Sequence, residues 1–412
     1  MASSEIILEA VPSVTDIPAA DWDACANPPG DPNSLENLDT LAAGGAQGKS
    51  CKPAYNPFVS HAFFAAAEAS GSACARTGWG GRHLVARLDG KIAGIVPCYL
   101  KSHSQGEYVF DRGWADAYER AGGRYYPKLQ ASVPFTPATG PRLLIRDGVD
   151  REQIGTALAS GLMALCNATN ASSVHVTFAR EAEAKFLGAH GFLQRNDQQF
   201  HWHNAGYGTF DDFLTSLNSR HRKAIKRERR EALSAGITIH HLTGADLTEE
   251  AWDAFFAFYM ETGSRKWGRP YLTRKFFSLI GESMSRDVLL VMAKRNGRWI
   301  AGAINFIGSD TLFGRNWGAV EHHPFLHFEV CYYQAIDFAI QRGLKIVEAG
   351  AQGEHKLARG YLPQTTYSAH FIADPDLRRA IADYLKRERA YVAEVGRELA
   401  ESAPFRKAAD EA

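Results

Sequence analysis

No surplus of either charge marks this 412-residue chain: Lys and Arg together number 46, and so do Asp and Glu. A whole-molecule field that would draw it onto DNA or an anionic membrane is therefore absent, and any anion binding has to be local. Cysteine is sparse, with Cys25, Cys51, Cys74, Cys98, Cys166 and Cys331 scattered and no CxxC pair among them. The N-terminal stretch also lacks a basic segment followed by an apolar run, so the thiols read as reduced and the location as cytoplasmic. No apolar run approaches the roughly 18 residues of a membrane helix, which excludes a transmembrane segment from the expectation. GxSxG, Walker and GxGxxG motifs are missing from any strand-to-helix context. Histidines occur in pairs (His201 and His203, His240 and His241, His322 and His323) without HExxH or finger spacing, so no metal is expected.

What is present suits a globular enzyme-sized protein. A 45% hydrophobic and 22% charged composition gives ample material for cores, and the length suggests two large domains. After a first strand in EIILEAV, the region 24–57 is rich in Pro, Gly, Asn and Asp and reads as a long loop. Two hairpins then appear far apart. HLVARLDGKIAGIVPCYL turns at Asp89-Gly90, and VLLVMAKRNGRWIAGAINFIG turns at Asn296-Gly297. Each is followed by an Arg-x-Trp triplet, Arg112 to Trp114 and Arg315 to Trp317, then by a helical segment and a strand. The spacing of the two copies predicts duplicated α/β (α+β) domains, 1–203 and 204–412, with mostly antiparallel mixed sheets flanked by helices and Trp114 equivalent to Trp317.

This doubled order resembles the tandem GNAT-like domains of FemABX-type aminoacyltransferases. LHFEVCYYQAIDFAI with GAQGEHKLARGYLP is similar to the FemAB-like family of N-acyltransferases linked to peptidoglycan biosynthesis or recognition, over about Asn56 to Tyr391. The basic helix NSRHRKAIKRERREA (218–232) and the stretch Lys356, Arg359, Gly360, Tyr361 carry the match to the wider group. Ala358 and Leu362-Pro363 depart from the FKxGFG-like pattern. The resemblance implies acyl or aminoacyl transfer to an amine on a small molecule or peptide, with Lys356 at the transfer site. The donor it implies is acyl-CoA as a co-substrate or an aminoacyl-tRNA, with no tightly bound cofactor. A Q/R-x-x-G-x-G/A pyrophosphate turn is absent. The alternative is a FemAB-like module that binds a peptidoglycan precursor or another amino-bearing ligand without catalysis.

The chemistry needs a neutral amine, a held carbonyl and donors for the developing oxyanion. Glu354, His355 and Lys356, on the loop leaving the strand before Ala349, offer a base, a relay and a clamp; a solvated polar loop is the competing reading. Glu329 falls at the edge of the apolar arc of the preceding helix, where burial would raise its pKa toward that of a base, or where it holds a Tyr or Arg for structural reasons. Arg222, Lys226 and Arg229 are placed to hold phosphates if the basic helix is not simply a solvated face countered by Glu228 and Glu231. Arg315, Trp317 and Arg359 are the remaining substrate-binding candidates. Trp114, Tyr118, Tyr125 and Tyr126 line either a groove or a core edge, and the charged helix 377–399 offers an assembly face. The oligomeric state is not legible.

Overall fold

The computed structural model describes residues 5–28, 55–266, 270–351 and 353–406. Two compact units emerge: residues up to Asp197 together with Thr366–Tyr391, and Gln198–Thr365 together with the residues from Val392 on. A linear division at 203/204 misses this return of the chain to the first unit. It arises because the strand Leu362–Ile372 pairs antiparallel with Ser173–Ala179, Tyr367 opposite Ala179 and Ile372 opposite Ser173. Most of the 24–57 region, with Cys51, lies outside the described residues; its first residues close the helix Ala19–Ala26.

The first unit contains β1 (Ile6–Val11), β2 (Trp79–Gly81), β3 (His83–Leu88), β4 (Lys91–Val96), β5 (Cys98–Lys101), β6 (Lys128–Ala131), β7 (Leu144–Ile145) and β8 (Ser173–Ala179). The β3–β4 hairpin closes through Asp89 (φ 50) and Gly90 (φ 80), the paired left-handed conformations that match strand twist and that Asp-Gly tolerates. Strand β1 pairs with β3, while β4 continues past Pro97 into β5. Opposite them, β6 and β7 act as one interrupted antiparallel strand, from Lys128 against Lys101 to Ile145 against Gly94. The helix Arg151–Ala168 then leads to β8, parallel to β6.

The second unit repeats this order. It holds the end of β9 (Leu193–His203), then β10 (Ile237–Leu242), β11 (Val288–Arg295), β12 (Arg298–Ile307), β13 (Thr311–Ala319) and β14 (Ile346–Glu348). Strand β10 pairs with β11, and β11 with β12 through Asn296 (φ 49) and Gly297 (φ 75). Strand β12 pairs with β13, and β13 lies parallel to β14. Both units thus carry a strand, a hairpin, a third antiparallel strand, a helix and a parallel strand, the tandem GNAT-like layout expected. One predicted equivalence fails. Trp114 lies in the helix Arg112–Arg120, whereas Trp317 lies in β13. The segment RGWADAYER is rich in helix formers and precedes the third strand of its unit instead of forming it.

Each unit has its own apolar core. In the second, Trp202, Phe213, Ile225, Leu289, Val291, Leu312, Val330, Ile336 and Val347 belong to one buried cluster. The helix Pro375–Glu401 turns Leu377, Ile381 and Leu385 into a cluster with Trp114 and Tyr125, against which Tyr118 and Tyr126 pack. Leu377, Ile381 and Leu385 are thus spent on the first unit's core while Tyr384 and Tyr391 stay exposed, and of the four aromatics Trp114 and Tyr125 are core and Tyr118 and Tyr126 its edge. No helix among the described residues is long and apolar enough to cross a membrane.

Candidate active site

Strand β14 is only three residues long and pairs with β13 from Thr311 against Ile346 to Phe313 against Glu348. Gly314 allows the last close approach, since a Cβ there would sit 3.2 Å from the Glu348 carbonyl oxygen. Beyond it β13 runs on to Ala319 with no rung to β14. A bulge falls in the same stretch: Asn305 pairs with Gly314 but Ala303 with Trp317. Bulges of this kind re-aim side chains and recur beside active sites. Over residues 314–319 β13 therefore has no rung to β14.

After Glu348 the chain turns at Gly350 (φ 74), reaches Gly353 (φ 106) and winds one helical stretch, Glu354–Arg359, ended by Gly360 (φ 86). A side chain at Gly360 would meet the Phe213 ring at 2.8 Å. This stretch folds Lys356 back over the strand end. Its Nζ, 4% exposed as a residue, donates to the Ala349 carbonyl and to that of Gly350 at 3.0 Å. Burial pushes its pKa down to about 8, with nearby Arg315 acting in the same direction and Cys331 opposing. Among the described residues no carboxylate stands within ion-pair distance of it.

The neighbouring helix begins irregularly. Phe325 takes φ 60, uncommon for a large side chain, and after Leu326–Phe328 the residues Glu329–Tyr333 form a π-helical turn before the α-helix Gln334–Gln341. That helix closes, as its sequence implies, at Arg342 and Gly343 (φ 66). Such π turns are frequent at functional sites. His355 packs at a tilt against Phe328 with centroids 5.5 Å apart, and its Nε2 lies 3.0 Å from the Tyr332 hydroxyl. Arg359 lies 3.4 Å over the Phe328 ring and donates to the His355 carbonyl at 2.6 Å and to Glu228 at 2.8 Å. The Tyr333 hydroxyl donates to the same Glu228 oxygen. The Glu354 side chain lies outside the described residues.

Glu329 is 0% exposed, but it is not a free base. Arg229 donates to both of its oxygens at 3.1–3.3 Å and reaches Asp337 at 3.4 Å, while Gln334 donates at 2.7 Å. The carboxylate therefore anchors the π turn to the basic helix. That helix, Ser219–Ala232, buries Ile225, Glu228 and Ala232 at a helical spacing. Glu228, read from sequence as a solvated counter-charge, is instead the buried partner of Arg359 and Tyr333. Arg229 is committed to Glu329 as well. Lys226 is exposed and 3.3 Å from Asp211, and the half-buried Arg222 has no side-chain partner among the described residues. These two remain available for a phosphate.

Arg315 donates to the Gly314 carbonyl at 2.7 Å and to Glu348 Oε2 at 3.3 Å. Trp317 packs 5.2 Å from His327, and both line a cleft of about 290 Å³ with Thr262, Glu321, His322 and His323. Among the described residues no group of three or more His, Cys, Asp or Glu is placed to share a metal ion. Sequence reading passed over Glu348 and Tyr332, and it took His201 only as one of a histidine pair and Glu228 as a counter-charge. Glu348 was visible as the acidic end of an apolar run; the others carry no local signal.

Among solved structures, that of FemX has a TM-score of 0.48 at 13% identity, covering 75% of this chain and 92% of that one. A tandem GNAT protein from the clavulanic acid biosynthesis pathway has a TM-score of 0.46 at 13% identity, covering 90% and 99%. No curated protein matches the chain. A family profile described as peptidoglycan biosynthesis/recognition matches residues 13–407, and the chain belongs to this FemAB-like family.

Proposed function

We propose that the protein is an N-acyltransferase that moves an acyl or aminoacyl group onto an amine, with its transfer site in the second unit. The observation that carries this reading is the stretch of β13 over residues 314–319 that has no rung to β14, beside the buried ammonium of Lys356. An unpaired strand edge offers backbone donors and acceptors to an extended, amide-bearing chain, as in strand addition. The arm of an acyl-CoA has that character. Lys356, holding two carbonyls, keeps a third donor for the developing oxyanion or the leaving atom, and a pKa near 8 suits proton delivery to a thiolate. Arg222 and Lys226 are the candidates for the donor's phosphates, and the cleft at Trp317 and His327 for the acceptor.

The family description favours an amine on a peptidoglycan precursor as acceptor. The first unit is not read as a second transfer site: β6 pairs with β8 up to Ala131, and the chain then leaves through a largely buried stretch, Val133, Phe135, Ala138 and Leu143. The test is incubation of the whole chain with isotope-labelled acyl-CoA or aminoacyl-tRNA and a lysine-containing muramyl pentapeptide, followed by mass spectrometry. The expected product is the labelled amide. A pentapeptide that is bound but recovered unmodified with either donor supports the non-catalytic binding reading.

A further inference from the structure

Transfer to an amine requires something to accept the proton that the attacking nitrogen sheds, and the candidates read from sequence are poorly placed for it. Glu329 has both oxygens occupied by Arg229 and Gln334, and His355 faces the Tyr332 hydroxyl. Glu348 is placed differently. It is the last residue of β14, opposite Phe313 in the final rung before β13 and β14 part. Val347 enters the core, so Glu348 projects from the opposite face. On β9 the same alternation sends Phe200 and Trp202 into the core and His201 to the Glu348 side, directly across the ladder.

Two side chains stand beside this carboxylate, and a third caps the chain that follows it. Arg315 donates to Oε2 at 3.3 Å, and His201 Nε2 lies 3.9 Å from Oε1. Lys356 caps the next two carbonyls of the same strand end, Ala349 and Gly350. Burial pushes His201 down to about 3, so its imidazole is neutral at physiological pH and adds no competing charge. A carboxylate and a guanidinium thus meet at the end of β14, with the Lys356 ammonium on the two carbonyls that follow, where a donor laid along residues 314–319 would end.

We propose that Glu348 is the catalytic proton acceptor of the transfer reaction, with Arg315 and His201 as its positioning residues; this rests on the reading of the second unit as an acyl-transfer site. The amine enters neutral and its lone pair forms the C–N bond to the acyl carbon. The bond from that carbon to sulfur or oxygen breaks, and its electron pair stays on the leaving atom. One proton of the attacking nitrogen passes to a Glu348 oxygen, and the leaving atom takes a proton from the Lys356 ammonium. Glu348 then releases its proton to solvent and Lys356 takes one from solvent, which restores both groups, and no further reactant is needed.

The experiment compares wild type with Glu348→Gln, Glu348→Ala and Arg315→Gln, using acetyl-CoA and alanyl-tRNA as donors and the lysine-containing pentapeptide as acceptor. Glu348→Gln is expected to lower kcat by about 100-fold or more with KM little changed, as loss of a general base requires. It should also abolish the acid limb of the kcat–pH profile. Formate should restore part of the rate to Glu348→Ala, which a purely structural carboxylate would not allow. Arg315→Gln should move the acid limb to higher pH. If wild type turns over while Glu348→Gln keeps full kcat and an unchanged acid limb, the assignment of Glu348 is overturned alone. If wild type transfers nothing from either donor, the acyl-transfer reading falls and takes this one with it.

Discussion

Replacing Arg229 by Met isolates the claim that the basic helix is tied into the site instead of being merely solvated. The guanidinium supplies three of the four hydrogen bonds that Glu329 receives, at 3.1 to 3.3 Å, and Gln334 supplies the fourth. Glu329 is fully buried while the Arg229 side chain is 24% exposed. Removing the arginine strands a charge with one neutral donor left. Breaking a buried pair in this way costs about 3–5 kcal/mol, and the partial exposure of Arg229 argues for the lower end, roughly 3 kcal/mol. For a unit of this size that corresponds to a fall in Tm of roughly 6–12 °C. Glu329→Gln should cost less, about 1 kcal/mol, because the orphaned guanidinium can turn toward water. The double variant should cost only about 1 kcal/mol, recovering most of the loss and giving a coupling energy of about 3 kcal/mol in a double-mutant cycle read by urea denaturation. A single Arg229→Met variant that melts within about 2 °C of wild type, or additive effects in the cycle, refutes the anchoring role and returns Arg229 to the phosphate-binding candidates.

Lys356→Ala should cut transfer by about 100-fold or more. Titration of Lys356, followed by NMR of its side chain, should centre near pH 8; because its folded pKa lies below the unfolded value of 10.5, the unfolded chain binds more protons between these values. Stability should therefore rise with pH across that window, and Lys356→Met should flatten the rise. In the first unit Lys128 is fully buried against Glu107 at 2.6 Å and Asp111. Lys128→Met leaves two buried carboxylates with Lys101, 3.8 Å from Glu107, as the remaining cation and should cost about 3 kcal/mol, seen as a lower denaturant midpoint. On the basic helix, Arg222→Gln and Lys226→Gln should each weaken binding of a phosphate-bearing donor by about 1 kcal/mol and reduce its salt dependence. Equal binding by the double variant at low salt assigns these residues to a solvated face.

Local signals were legible where a single physical cause fixes them. Asp89-Gly90 and Asn296-Gly297 announce their hairpins because few other pairs take two left-handed conformations in succession. Arg342 and Gly343 likewise mark a helix end. The return of Thr366–Tyr391 to the first unit was hidden, since alternation along a strand says which residues face a core but not which sheet the strand joins. Trp114 was misassigned although its flanking Ala and Glu residues favour a helix, because the repeated triplet outweighed propensity. At the site, the loop carrying Lys356 stood out through its density of polar groups. The partner of Glu329 did not, as Arg229 lies one hundred positions away and only packing brings them together. Glu348 went unread because nothing in a sequence shows that β13 outruns β14.

Hydrogen–deuterium exchange of the whole chain, with and without saturating acyl-CoA and in parallel with aminoacyl-tRNA, tests most directly whether the second unit houses the transfer site. The backbone amides that lack a rung to β14, residues 314–319, and those of 349–361 around Lys356 should gain protection with the donor that supports transfer, and Lys356→Ala should keep the protection at 314–319 while losing turnover. Protection confined to the first unit, or none at residues 314–319 with a donor that demonstrably reacts, would contradict the account.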